Sequence, residues 1–132
     1  MCSSTLPGVG NAGSPYAPLQ RSLRTGNPQL ALAAAVEMPG PLKLADALAL
    51  VLVLARAGDP RWERAAVRWA ARYSPEARPS PDGAEARQVL AAVSALVSTT
   101  APAAVETLHA LADARGLERV CRALDEYGPA AA

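Results

Sequence analysis

Apolar residues recur at helical spacing through most of the chain, and nowhere do they alternate with polar ones over a length that would make a strand. The first periodic segment opens at Asn27-Pro28, an N-cap residue followed by proline at the first helical position. It carries Leu30, Leu32, Ala33 and Val36 and stops at Met38-Pro39-Gly40-Pro41. A second helix is expected over residues 42–57. Between Ala47 and Ala55 it is apolar all round, the mark of a central helix covered on most sides. Asp46 sits near its start, where the helix dipole favours a carboxylate, with Lys43 as a candidate partner. Gly58 supplies a left-handed residue to end it.

A third helix follows over residues 60–73, opened by Asp59 as cap and Pro60. The two- or three-residue connection between them predicts an antiparallel helical hairpin. Three prolines in residues 74–81 predict a loop, because proline cannot donate to a continuing helix. Ser80-Pro81 are expected to cap a fourth helix reaching about Val97, with Val89, Leu90, Val93 and Leu96 in helical register. A fifth follows Ser98-Thr99-Thr100, holds Pro102 in its first turn and ends at Arg115-Gly116. Leu117, Val120, Cys121 and Leu124 give the sixth, over residues 117–127, one buried stripe. Pro7, Pro15, Pro18 and three glycines make residues 1–24 a flexible leader, and residues 128–132 a tail.

The expected architecture is therefore all-α: one helical domain over residues 25–127, five or six short helices paired as antiparallel hairpins, in a compact bundle or a short solenoid-like stack. A faint internal echo, if real, would suggest the stack. Ala55-Arg-Ala-Gly, then Trp62-Glu-Arg and Tyr73, parallels Ala112-Asp-Ala-Arg-Gly, then Leu117-Glu-Arg and Tyr127. The unequal lengths make chance likeness between Ala/Arg-rich helices the better reading.

The third helix separates its residue types by face. At about 100° per residue, Arg61, Arg64, Arg68 and Arg72 form one stripe, about 16 Å long at 1.5 Å per residue. Trp62, Ala66, Trp69 and Tyr73 form another, roughly a third of a turn away. That spacing is what core packing needs, although stacked aromatics can also serve as a platform. Guanidinium forks bind carboxylates and phosphates, so the Arg stripe is the candidate partner-binding surface. The competing reading is a solvated helix face.

Composition adjusts this picture in two ways. Alanine supplies 31 of the 132 residues and Phe none, so the core is thin and the few large side chains carry it. Net charge is only +1, yet residues 41–80 carry +3 and residues 81–132 carry −3. Such asymmetry suits docking on an acidic surface, including a second copy's acidic half. It falls short of the strongly basic balance of a dedicated nucleic-acid binder.

Chemistry-bearing groups are few. His109 shares a helix face with Glu106 and Asp113, a pattern that metal sites use only with a second such pair, and the chain has no other His. Cys121 lies on the apolar side of its helix, which argues against a Cys121–His109 nucleophile pair; Cys2 falls in the leader. Gly8-Val9-Gly10-Asn11-Ala12-Gly13 matches a phosphate-binding string but follows no strand and opens no helix. No catalytic, cofactor, metal or small-molecule site is expected. No export signal and no apolar run long enough for a bilayer is visible, so a cytoplasmic location is the default.

Residues 21–73 contain Arg-Ser-Leu-Arg-Thr-Gly-Asn-Pro, Ala-Leu-Ala-Ala-Ala, Leu-Ala-Asp-Ala-Leu and Arg-Ala-Ala-Val-Arg-Trp. In these the chain resembles a group of short, uncharacterised all-helical actinobacterial proteins. The resemblance implies a helical fold and transfers no functional residues. The leading expectation is a non-catalytic module for protein interaction or self-association through Arg61, Arg64, Arg68 and Arg72. The alternative is an accessory nucleic-acid-binding protein using the same stripe.

Overall fold

A computed structural model describes residues 16–77 and 80–129. They form seven α-helices and no strand: α1 (Tyr16–Thr25), α2 (Pro28–Val36), α3 (Leu44–Arg56), α4 (Trp62–Glu76), α5 (Gly83–Ser94), α6 (Ala101–Ala114) and α7 (Glu118–Tyr127). The all-α class stands, with one helix more than the pattern suggested.

The additional helix is α1, which replaces the last part of the expected leader; residues 1–15 lie outside the described residues, as does Cys2. Pro18 does not prevent it, because it falls in the first turn, where backbone N–H groups have no intrahelical partner to lose. Leu19 and Leu23, four residues apart, are fully buried and fasten α1 to the core.

The helix ends follow local chemistry. Asn27 caps α2 by accepting from the N–H groups of Gln29 and Leu30 at 2.9 and 3.2 Å. α3 ends with Gly58 at φ 70°, which lets the Gly58 and Asp59 N–H groups donate back to Ala55 and Leu54. α6 ends with the same pair of bonds, from Gly116 and Leu117 to Asp113 and Ala112. The echo between these segments thus has a counterpart in two like-built turns.

Several boundaries differ from expectation; among them, α3 starts at Leu44 and α5 ends at Ser94, short of Val97. α4 begins at Trp62, because Asp59 caps a turn by accepting from the Arg61 N–H at 2.9 Å. It also runs past Ser74 and Pro75 to Glu76, correcting the loop expected over residues 74–81. Pro75 costs only a bond in the last turn, while Arg72 and Glu76 pair one turn apart at 2.6 Å. α5 is capped by Asp82 and not by Ser80, since the Asp82 carboxylate accepts the Glu85 N–H at 2.8 Å.

α3 is the centre. It packs against α1, α2, α4 and α7, and Leu48, Ala49 and Val51 to Leu54 are almost fully buried, while Leu50 between them is only partly covered. Trp69 of α4 is the largest fully buried side chain, and its indole N–H donates to the Leu44 carbonyl at 2.8 Å. That bond brings the later half of α4 to the start of α3. Asp46 of α3 accepts from Gln20 of α1 at 3.3 Å, so its partner is not Lys43. No described helix is long and apolar enough to cross a membrane.

The second half packs on the first through α5 against α4 and α7 against α3, and a polar cluster reinforces that packing. Glu85, in the first turn of α5, accepts two bonds from Arg115 at 2.6 and 2.8 Å and a third from the Tyr73 hydroxyl at 3.1 Å. It joins α4, α5 and the end of α6 at side chains that are mostly shielded from water. The Arg115 guanidinium holds the Glu85 carboxyl below its ordinary 4.5. Burial, then the Glu85 carboxylate, pushes the Tyr73 phenol up to about 12.

Removing this junction by Glu85→Ala should cost about 2 kcal/mol in urea unfolding, because a shielded guanidinium loses its carboxylate; a loss below about 0.5 kcal/mol would contradict the assignment. The two shifts act on opposite sides of neutrality. Glu85 stabilises fully above the ordinary carboxylate value and less as acid protonates it. Tyr73 stabilises fully below pH 10 and less as pH climbs towards 12. Wild-type stability should therefore fall on both sides, and Glu85→Ala should flatten the acid limb.

Candidate functional site

α4 owes its orientation to its apolar face. Ala66, Trp69 and Tyr73 are each almost fully buried, and Trp62 is half-buried. The Trp69 and Tyr73 rings meet at 5.5 Å between centroids, tilted by 47°. These aromatics are core, as their spacing predicts, and they form no exposed stacking platform. With that face fixed inward, the arginines emerge along the flank beside α2 and α3.

The four arginines do not share one state. Arg61, at the start, is clamped by Asp59 through bonds of 2.9 and 2.7 Å and reaches Gln29 of α2 at 3.2 Å. Its guanidinium holds the Asp59 carboxyl down at about 2. Arg72, at the end, donates to Glu76 and also to the Leu42 carbonyl at 2.6 Å, bridging α4 to the segment entering α3. Arg64 and Arg68, between them, are exposed and make no hydrogen bond or ion pair among the described residues. The stripe is therefore two structural clamps enclosing two available cations.

All four line one rim of an open groove of about 390 Å³. Its floor is apolar, built by Leu32 of α2, Leu42, and Ala47 and Leu50 of α3. Val67, between Arg64 and Arg68 in sequence, is half exposed on α4. The uniformly apolar stretch of α3 predicted cover on most sides; one side of that stretch instead opens here. Aliphatic floor and guanidinium rim together can hold a surface that is apolar along one line and acidic along the next.

Other candidates resolve differently. His109 Nε2 lies 3.4 Å from Asp125 Oδ1 of α7, a partner that sequence spacing alone could not find. Glu106 and Asp113 do share the outer side of α6 with it. Cys121 is buried, its Sγ 3.7 Å from the His109 carbonyl, and burial followed by nearby Asp113 and Asp125 pushes its thiol up, away from the reactive thiolate. Among the described residues no group of three or more His, Cys, Asp or Glu is placed to hold a metal. The Gly8–Gly13 string lies outside the described residues.

Comparison with protein-family models, curated proteins and solved structures finds no match for this chain. The functional reading rests on the groove.

The split within the stripe has a direct thermodynamic signature. Arg72→Ala should lower unfolding stability by about 1 kcal/mol, through the lost bonds to Leu42 and Glu76. Arg68→Ala should stay within about 0.5 kcal/mol of wild type, as for an unpaired surface side chain. Equal effects in a denaturant titration would contradict the division into clamps and available cations.

Proposed function

We propose that this protein is a non-catalytic interaction module whose groove takes an acidic amphipathic helix. Aliphatic side chains of the incoming helix rest on Leu32, Leu42 and Leu50. Its carboxylates pair with Arg64 and Arg68, and Arg61 and Arg72 hold the rim in place. The observation that carries this reading is the pairing of two uncommitted guanidinium groups with an apolar floor in one groove. This is the helix-in-groove mode of recognition, with charge setting orientation and burial giving affinity. In this reading the helices follow one another as hairpins, and the groove lies where α2 approaches the hairpin of α3 and α4.

The chemistry of the groove weighs against a nucleic-acid partner. A phosphate backbone gains nothing from a leucine floor, and two free arginines give a small electrostatic footprint.

A helical peptide with leucines at i, i+3, i+4 and i+7 and glutamates one flank away is a suitable probe, and Trp69 in the groove wall reports its arrival by fluorescence. Binding should weaken with salt and fall at least tenfold in the double variant Arg64→Glu/Arg68→Glu, about 1.4 kcal/mol. Undiminished binding by that variant would overturn the assignment. So would tighter, steeply salt-dependent retention of duplex DNA by wild type, which would instead support nucleic-acid binding.

A further inference from the structure

The molecule displays on its own surface a helix of the kind its groove suits. The outer side of α6 exposes Ala103, Glu106, Thr107, Ala110, Asp113 and Ala114. At about 100° per residue, Glu106 and Asp113 fall within roughly 20° of one another, and the three alanines lie roughly 40–100° further round. The helix thus carries an acidic line beside a small apolar line. The groove carries a basic line, Arg64 and Arg68, beside an apolar floor. Neither Glu106 nor Asp113 makes an ion pair among the described residues. Both sides of the match are uncommitted.

Spacing and shape agree with the charges. Glu106 and Asp113 are separated by about 10 Å along α6, and Arg64 and Arg68 by about 6 Å along α4, at 1.5 Å per residue. The length of the arginine side chain closes that difference. Alanines on the approaching face let the α6 backbone come close to the leucine floor, since the distance between packed helices is set by the side chains at the contact. The same polarity appears over the whole chain, with +3 in residues 41–80 and −3 in residues 81–132.

We infer that the occupant of the groove is α6 of a second copy of this chain, with Glu106 and Asp113 paired to Arg64 and Arg68 across the contact. This inference rests on the interaction reading given above and names the partner within it. Groove and helix are different surfaces of one chain. The contact closes as a dimer where a two-fold axis lets each copy both give and receive, and otherwise adds copies head to tail.

Size-exclusion chromatography with light scattering on the full chain tests this. At about 100 µM and low salt, wild type should exceed the monomer mass of 13.6 kDa and return towards it in high salt. Arg64→Glu/Arg68→Glu alone should be monomeric, and so should Glu106→Arg/Asp113→Arg alone. All four positions are exposed, and an unchanged helical circular dichroism spectrum verifies that each variant is folded. Mixed one to one, the two variants should reassemble at about 27 kDa, twice the monomer, because the reversed charges again face their opposites. A monomeric wild type, or a mixture that stays monomeric, overturns the self-docking. If that monomer still binds the acidic peptide through Arg64 and Arg68, the wider interaction reading stands. If wild type self-associates and both variants do so equally, the contact lies elsewhere and the inference falls.

Discussion

The bond from the Trp69 indole N–H to the Leu44 carbonyl sets the relation between α3 and α4, and most of the structure depends on that relation. Indole is the largest body this alanine-rich core buries, and its single donor must find an acceptor when water is excluded. The Leu44 carbonyl lies in the first turn of α3, so satisfying the donor registers the two helices as well as filling space. α1, α2 and α7 then pack on the remaining sides of α3, while α5 and α6 are joined through the Tyr73–Glu85–Arg115 cluster. A core built mainly from alanine and leucine leaves little to replace either contact.

The same registration explains the arginine rim. Once Ala66, Trp69 and Tyr73 face inward, the Arg positions must run along the edge where α4 meets α2 and α3. At each end of that edge a polar group of the fold is within reach. Asp59 and Gln29 take Arg61, while Glu76 and the Leu42 carbonyl take Arg72. In the middle the neighbours are leucine and alanine side chains, which offer no acceptor, and Arg64 and Arg68 remain open. Folding thus engages the two end arginines of the stripe and leaves the two middle ones exposed.

Much of this was legible in the sequence, because it depends on local rules. Asn27-Pro28 marks the start of α2, Gly58 and Gly116 mark helix ends, and the heptad spacing of Trp62 and Trp69 marks an inward face. Local rules also explain the misplacements. Pro18 and Pro75 read as breaks, yet Pro18 lies in a first turn whose N–H groups have no intrahelical partner, and Pro75 lies in a last turn where it removes a single bond. Asp82 rather than Ser80 caps α5 because a carboxylate two residues on can reach the same turn. The site was harder to see. The stripe of four arginines follows from periodicity, but its division into clamps and free cations depends on Gln29 and Leu42, about thirty residues distant in sequence. The leucine floor was concealed for the same reason, since an apolar helix gives no sign of which side its neighbours leave uncovered.

The central claim is that packing divides this stripe into held and available guanidinium groups. Side-chain Nε–H nuclear magnetic resonance of the arginines in the full-length wild-type protein, at concentrations low enough to keep it dispersed, measures that division directly. Slow solvent exchange and restricted motion are expected at Arg61 and Arg72, with fast exchange and rapid reorientation at Arg64 and Arg68. Four equivalent mobile arginines, or order at Arg64 and Arg68 in the isolated chain, would contradict it.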